Sequence, residues 1–232
     1  MKKKTDTHQK IVETLRGKSC LKQDIFALTK EVFSSFKLSL SNFTEHLQKE
    51  VCVHDNRIRI EFKDQGDYAC EVTIAGDVLV FVMHTNVFQF ESSHELWGTS
   101  YLKKDKNRGY CGVIHLYNFL ADSVRQQRVN DVGYLIGRLF VNKDRHFFVQ
   151  GKHPLSLLFN DFVNTKLSDE KIQEVIESAV LYTLDFDLFV PPYQQIQQVT
   201  VQEMQEIGKS MFITTGKRVG YKFQTESDNF ES

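Results

Sequence analysis

Three runs of alternating residues follow one another between Arg57 and Met83, separated only by turn-forming residues, and this stretch constrains the fold more than any other. In the first, Ile58, Ile60 and Phe62 alternate with Arg57, Arg59, Glu61 and Lys63, the period of two of a strand with one dry and one wet face. Such a strand belongs near a sheet edge. The second run sets Tyr68, Cys70, Val72 and Ile74 on one side against Ala69, Glu71 and Thr73 on the other. The third, Val78 to Met83, is apolar at both parities, which predicts a central strand with neither face open to water. Asp64-Gln65-Gly66-Asp67 and Ala75-Gly76-Asp77 lie between the runs and supply the turn chemistry of tight hairpins. The expected result is an antiparallel meander.

Upstream, Ile25, Leu28, Val32, Phe36, Leu40, Phe43 and Leu47 recur in steps of three or four, one face of a helix laid on that sheet. A dimerising coiled coil is the alternative use of such a stripe. Ser34-Ser35 and Leu38-Ser39-Leu40-Ser41 interrupt it, and Asn42 with Glu45 makes a capping box, so residues 21–52 are expected as two helices with a bend. Downstream, Cys111 to Asn118 reads as a fourth strand, although Leu116, Phe119, Leu120 and Val124 also fit a helical period. Val132 to Val141 and His146 to Gln150 make strands five and six around Asn142-Lys143-Asp144, with Gly133 and Gly137 marking a bend or a close backbone approach.

From Pro154 the period is helical. Leu155, Leu158, Phe159, Phe162 and Val163 form one short helix. Ser168 caps a second with Ile172, Val175, Ile176 and Ala179 as its dry stripe, ending before Pro191-Pro192. Thr200 and Glu203 box the start of a further short helix, and a last hairpin runs from Phe212 to Phe223. The chain therefore reads as an α+β protein, a meander of about six antiparallel strands flanked by N-terminal and C-terminal helices. Its expected divisions are an arm over 1–20, one domain over 21–223 and a disordered acidic tail over 224–232.

Charge narrows the partners. With Lys+Arg 29 against Asp+Glu 30, the net charge of -1 gives the whole molecule no pull toward nucleic acid or anionic lipid. Cys20, Cys52, Cys70 and Cys111 form no CxxC pair, and Met1-Lys2-Lys3-Lys4 leads into polar residues instead of an apolar signal core, so a reducing, cytoplasmic setting is expected. No apolar run approaches the roughly 20 residues that span a bilayer. No GxGxxG, P-loop or Gly-x-Ser-x-Gly elbow is present, and no motif names a cofactor.

Two groups of residues carry the candidate chemistry. His84, Glu91, His94 and His115 bring imidazoles and a carboxylate to the end of the central strand, the loop after it and the fourth strand, a set able to ligate a metal or move protons. Without HxH or HExxH spacing, hydrogen-bonded strand histidines are the plainer account. The second group is the long stretch from His94 to Tyr110, where Trp97, Tyr101, Lys103, Lys104 and Arg108 mix aromatic faces with cations fit for an anionic ligand or an acidic protein surface. Arg138 joins it, because its parity groups it with Tyr134, Ile136 and Phe140, and an arginine among apolar neighbours needs a carboxylate or an anionic ligand. A second basic segment, Lys209, Lys217, Arg218 and Lys222 with Phe212, Tyr221 and Phe223, has the same mixture. The leading expectation is a non-enzymatic cytoplasmic binding or sensory module for an anionic small molecule or a protein partner. A metal-assisted hydrolase or nuclease and a nucleic-acid-binding protein are the alternatives.

Overall fold

The apolar stripe beginning at Ile25 forms one uninterrupted helix. In the computed structural model, which describes residues 2–187, 193, 197–202 and 204, helix α1 (Lys2–Thr14) passes through a π-helical turn at Leu15–Ser19 into α2 (Cys20–Val51) with no break. The expected bend over 21–52 is absent because the buried stripe from Ile25 through Val32, Phe36 and Leu40 runs against the sheet past the serines, and α2 stays one helix. Ser34 donates to the Lys30 carbonyl at 3.0 Å, and Thr44 to those of Leu40 and Ser41, both at 2.9 Å. The arm over 2–20 is helical and leads directly into α2.

The meander expectation holds. Strands β1 (Ile60–Asp64), β2 (Ala69–Ile74), β3 (Asp77–Met83), β5 (Tyr110–Leu120), β6 (Tyr134–Asn142) and β7 (Phe147–Gly151) lie in that order, all antiparallel, and a two-residue strand β4 (Phe88–Gln89) continues beside β5 to complete a seven-stranded sheet. β1 is an edge and β3 is interior, as their patterns required. The stretch after Leu116 resolves as strand to Leu120, followed by the single helical turn α4 (Ala121–Arg125).

Helix α2 and the C-terminal helix α6 (Asp169–Leu184) share one face of this sheet. Val32, Phe33, Phe36 and Leu40 from α2 and Ile172, Val175, Ile176 and Ala179 from α6 close over Cys70, Val72, Leu79, Phe81, Met83, Ile114, Leu116, Leu139 and Val141. Each large side chain buried in this way contributes about 1.5–3 kcal/mol. Gly112 allows the close approach of α2 to β5, since a Cβ there would lie 1.9 Å from the Thr29 hydroxyl. Ser168 caps α6 as expected, accepting a hydrogen bond from the Lys171 amide.

The opposite face departs from expectation. Val78 is buried, but Val80 and Val82 are only half-buried, so the central strand is not sealed on both sides. Among the described residues no helical layer covers this face. Only its β5–β7 end is roofed, by a second cluster in which Leu102, Cys111, Val113, Phe140 and Phe162 pack with Phe90, Leu96, Trp97, Tyr101 and Phe148. The stretch from Glu91 to Tyr110, irregular in sequence, is built from three short helical turns: Glu95–Gly98, α3 (Ser100–Lys104) and Lys106–Gly109. Their starts are capped by His94, Thr99 and Asp105 in turn.

Two further corrections bear on the site. A bulge shifts the β5–β6 register, pairing Leu116 with Gly137 but Tyr117 with Leu135, and the extra residue is Ile136. Ile136 therefore turns into the helix-covered core while Arg138 and Phe140 face the other way, and the expected grouping of Ile136 with Arg138 fails. The short helix after Pro154 is the single turn α5 (Leu155–Leu158), after which Phe159 and Phe162 plug the two clusters separately. The Glu203 capping position, the hairpin from Phe212 to Phe223 with its basic residues, and the tail over 224–232 lie outside the described residues.

Candidate functional site

A hollow of about 460 Å³ opens on the face of the sheet opposite α2 and α6. That is within the range of small-molecule sites. Its floor is β5, β6 and β7, and its wall is the chain from His84 to His94. The wall exists because β3 and β4 lie along the same side of β5 but are not continuous: the His84 amide still bonds to the Val113 carbonyl at 2.9 Å, and pairing resumes only at Phe88 opposite Cys111.

Five sequence candidates meet here. His84, Glu91, His94, His115 and Arg138 all line this hollow. The His84 and His115 rings lie 6.2 Å apart, centre to centre. Among the described residues no three His, Cys, Asp or Glu side chains converge closely enough to hold a metal ion. Hydrogen bonding shows what the histidines do present. The Asn86 amide donates to Nδ1 of His84 at 2.9 Å, and the Leu96 amide to Nδ1 of His94 at 3.3 Å. A nitrogen that accepts carries no proton, so each neutral ring keeps its hydrogen on Nε2 and offers a donor there. His115 contacts the Tyr117 hydroxyl through Nδ1 at 3.0 Å. Burial first, then Arg138 and His84, hold its pKa below the usual 6.5, so it is neutral near pH 7.

Arg138 supplies the fixed charge. Its guanidinium lies 5.5 Å from the centre of the Phe140 ring and donates to the side-chain oxygen of Gln150, its cross-strand partner. Among the described residues no carboxylate pairs with it. The apolar part of the lining is aromatic: Phe140 and Phe148 stack at 5.0 Å, Phe90 packs on both, and Phe88 meets His84 edge-on at 4.7 Å. Cys111 also lines the hollow, but complete burial pushes its thiol pKa far up and keeps it protonated, so it is no nucleophile.

The remaining candidates divide. Tyr101 and Arg108 are consumed inside the fold. Tyr101 stacks on His146 at 4.5 Å and donates to Asp144 at 3.0 Å, while Arg108 pairs with Asp144 at 2.9 Å and lies over the Tyr101 ring. Burial above all raises the Tyr101 hydroxyl to about 12. Trp97 is half-buried, seated on Gly109, where a Cβ would come within 2.5 Å of the indole, and its Nε1 donates to the Glu91 carbonyl at 2.8 Å. Trp97 and Lys103 line a second hollow of about 430 Å³ with Gln89, Phe90, Ser92, Leu102 and Lys106. Lys104 is exposed and lines neither hollow.

Sequence reasoning passed over the aromatic lining and Gln150. The signal was present: Phe140 with Phe148 and Arg138 with Gln150 are cross-strand pairs symmetric about the Asn142–Arg145 turn, so a hairpin register alone places all four together. Among the described residues no helix is long and apolar enough to cross a membrane. Comparison with known proteins finds no matching family model, no matching curated protein and no matching solved structure.

Proposed function

We propose that this chain is a cytoplasmic, non-enzymatic binding module whose ligand is an anionic small molecule with an apolar, flat body. One observation carries the reading: Arg138, half-buried and without a carboxylate partner among the described residues, stands over an aromatic floor in a hollow large enough for such a molecule. The Nε2–H groups of His84 and His94 add neutral donors to the same lining, so an anion gains hydrogen bonds and loses little to repulsion. Glu91, the one carboxylate in the lining, is exposed and can keep its own hydration. The cytoplasmic setting is supported by four unpaired cysteines, two of them buried.

The test uses 2-naphthoate and its uncharged analogue 2-naphthamide, with calorimetric titration as the readout. The naphthoate is expected to bind and the amide to bind much less. Arg138→Gln removes a charge-assisted hydrogen bond and should weaken naphthoate about ten- to a hundredfold. Equal binding of acid and amide, or an affinity untouched by Arg138→Gln, overturns the reading.

A further inference from the structure

The two hollows on this face are neighbours across a single ridge. Gln89 and Phe90 line both. The ridge is fastened from below and from the side, since the Phe90 amide bonds to the Gly109 carbonyl at 3.4 Å and the Trp97 indole holds the Glu91 carbonyl at 2.8 Å. A molecule lying across Phe90 would touch the first hollow at one end and the second at the other.

Both ends carry the same sign. The first presents Arg138 and the imidazole donors; the second presents Lys103 and Lys106 beside Trp97 and Leu102. The nearby carboxylates that would otherwise neutralise those lysines are committed elsewhere: Asp105 pairs with Lys143 at 2.6 Å, and Asp144 with Arg108 at 2.9 Å. The Lys143 ammonium and a backbone hydrogen bond from Asn107 hold the Asp105 carboxyl below its ordinary range. Among the described residues no ion pair reaches Lys103 or Lys106. Apolar surface lies between the two cationic ends, in the order charge, aromatic ridge, charge.

From this juxtaposition we infer that the ligand is a dianion, with two acidic groups at opposite ends of a flat or extended apolar body, one held at Arg138 and the other at Lys103 and Lys106. The inference rests on the binding-module reading and extends it from one anchoring charge to two. Two weak electrostatic anchors joined through one rigid ligand act as a bivalent pair, because the second contact forms at high effective concentration once the first is made.

The experiment compares matched pairs of probes on the full chain. Naphthalene-2,6-dicarboxylate is set against 2-naphthoate, and the longer biphenyl-4,4′-dicarboxylate against biphenyl-4-carboxylate, so that a mismatch in span at one length is caught by the other. At least one dicarboxylate is expected to bind about tenfold or more tightly than its monoacid. The gain should vanish in Lys103→Gln/Lys106→Gln, whose two positions are exposed, while monoacid affinity there stays unchanged. Arg138→Gln should weaken both members of each pair. If monoacids bind and neither dicarboxylate gains, or if the gain survives loss of both lysines, the dianion inference falls and the binding-module reading stands. If no acid of either kind binds, both fall together.

Discussion

The two faces of this sheet are made of similar residues and do opposite things. On the helix-covered face, Cys70, Val72, Leu79, Phe81, Met83, Ile114, Leu116, Leu139 and Val141 are buried almost completely. On the other, the alternate residues of the same strands include Val80, Val82, His115, Tyr117 and Arg138, each left half-buried. Apolar character at both parities of β3 is therefore met by a second covering layer on one face alone among the described residues. It shows that water is disfavoured on both sides, and on the second side the chain leaves a recess instead of filling it. Arg138, without a carboxylate partner among the described residues, the imidazoles and the aromatic floor all lie on that side.

The comparison breaks most directly by deleting side chains on each face of β3. Phe81, fully buried against Phe36, should cost about 3–5 kcal/mol when replaced by alanine. Val82→Ala, one residue along but on the open side, should cost about 1 kcal/mol or less, because the site is already half in water. Denaturant unfolding of both variants measures the difference. Equal losses would mean that something covers the second face in solution.

A smaller effect separates two arginines. Arg128 is buried and pairs with Asp131 at 2.9 Å beside Ser123, so Arg128→Gln strands a buried carboxylate and should cost about 3 kcal/mol or more. Among the described residues Arg138 donates to the Gln150 side-chain oxygen and to no carboxylate, so Arg138→Gln should change stability by less than about 1 kcal/mol while weakening naphthoate binding about ten- to a hundredfold. One arginine is spent on the fold, and the binding reading assigns the other to a ligand. A large stability loss at Arg138 would erase that distinction.

Much of this was legible from residue patterns, and the exceptions share a cause. Period and turn chemistry located the strands because both act within a few residues. The Ser168 cap and the interior place of β3 followed in the same way. What failed depended on distant neighbours. Whether Ser34 bends a helix depends on the sheet that the buried stripe runs against, and whether Arg138 shares a face with Ile136 depends on a bulge set by the facing strand. Tyr101 and Arg108 looked like a free recognition surface because Asp144, about forty residues onward, is invisible to local pattern. The meeting of His84, Glu91, His94 and His115 on one hollow was foreshadowed by strand adjacency, whereas the place of Arg138 among them depended on the β5–β6 register, and the donor chemistry of His84 and His94 on backbone amides that no motif encodes.

The finest test of the comparison is the proton on His115. On the open face His115 meets His84, Arg138 and the Tyr117 hydroxyl and has its pKa held below 6.5, by burial first and by Arg138 and His84 after it. The unfolded chain binds that proton more readily than the native one, so stability is whole above 6.5 and declines as pH falls from there toward the lowered native value. His115→Asn should remove this component, and the difference in stability between wild type and variant should shift across that window in favour of the variant as the solution is acidified. Bound 2-naphthoate acts in the opposite direction. An anion beside His115 compensates the Arg138 charge, raises the native pKa and should make the acid-side decline shallower in wild type but not in His115→Asn. If the ligand shifts the wild-type and His115→Asn profiles alike, the anion does not sit within reach of this imidazole, and the open face binds it elsewhere.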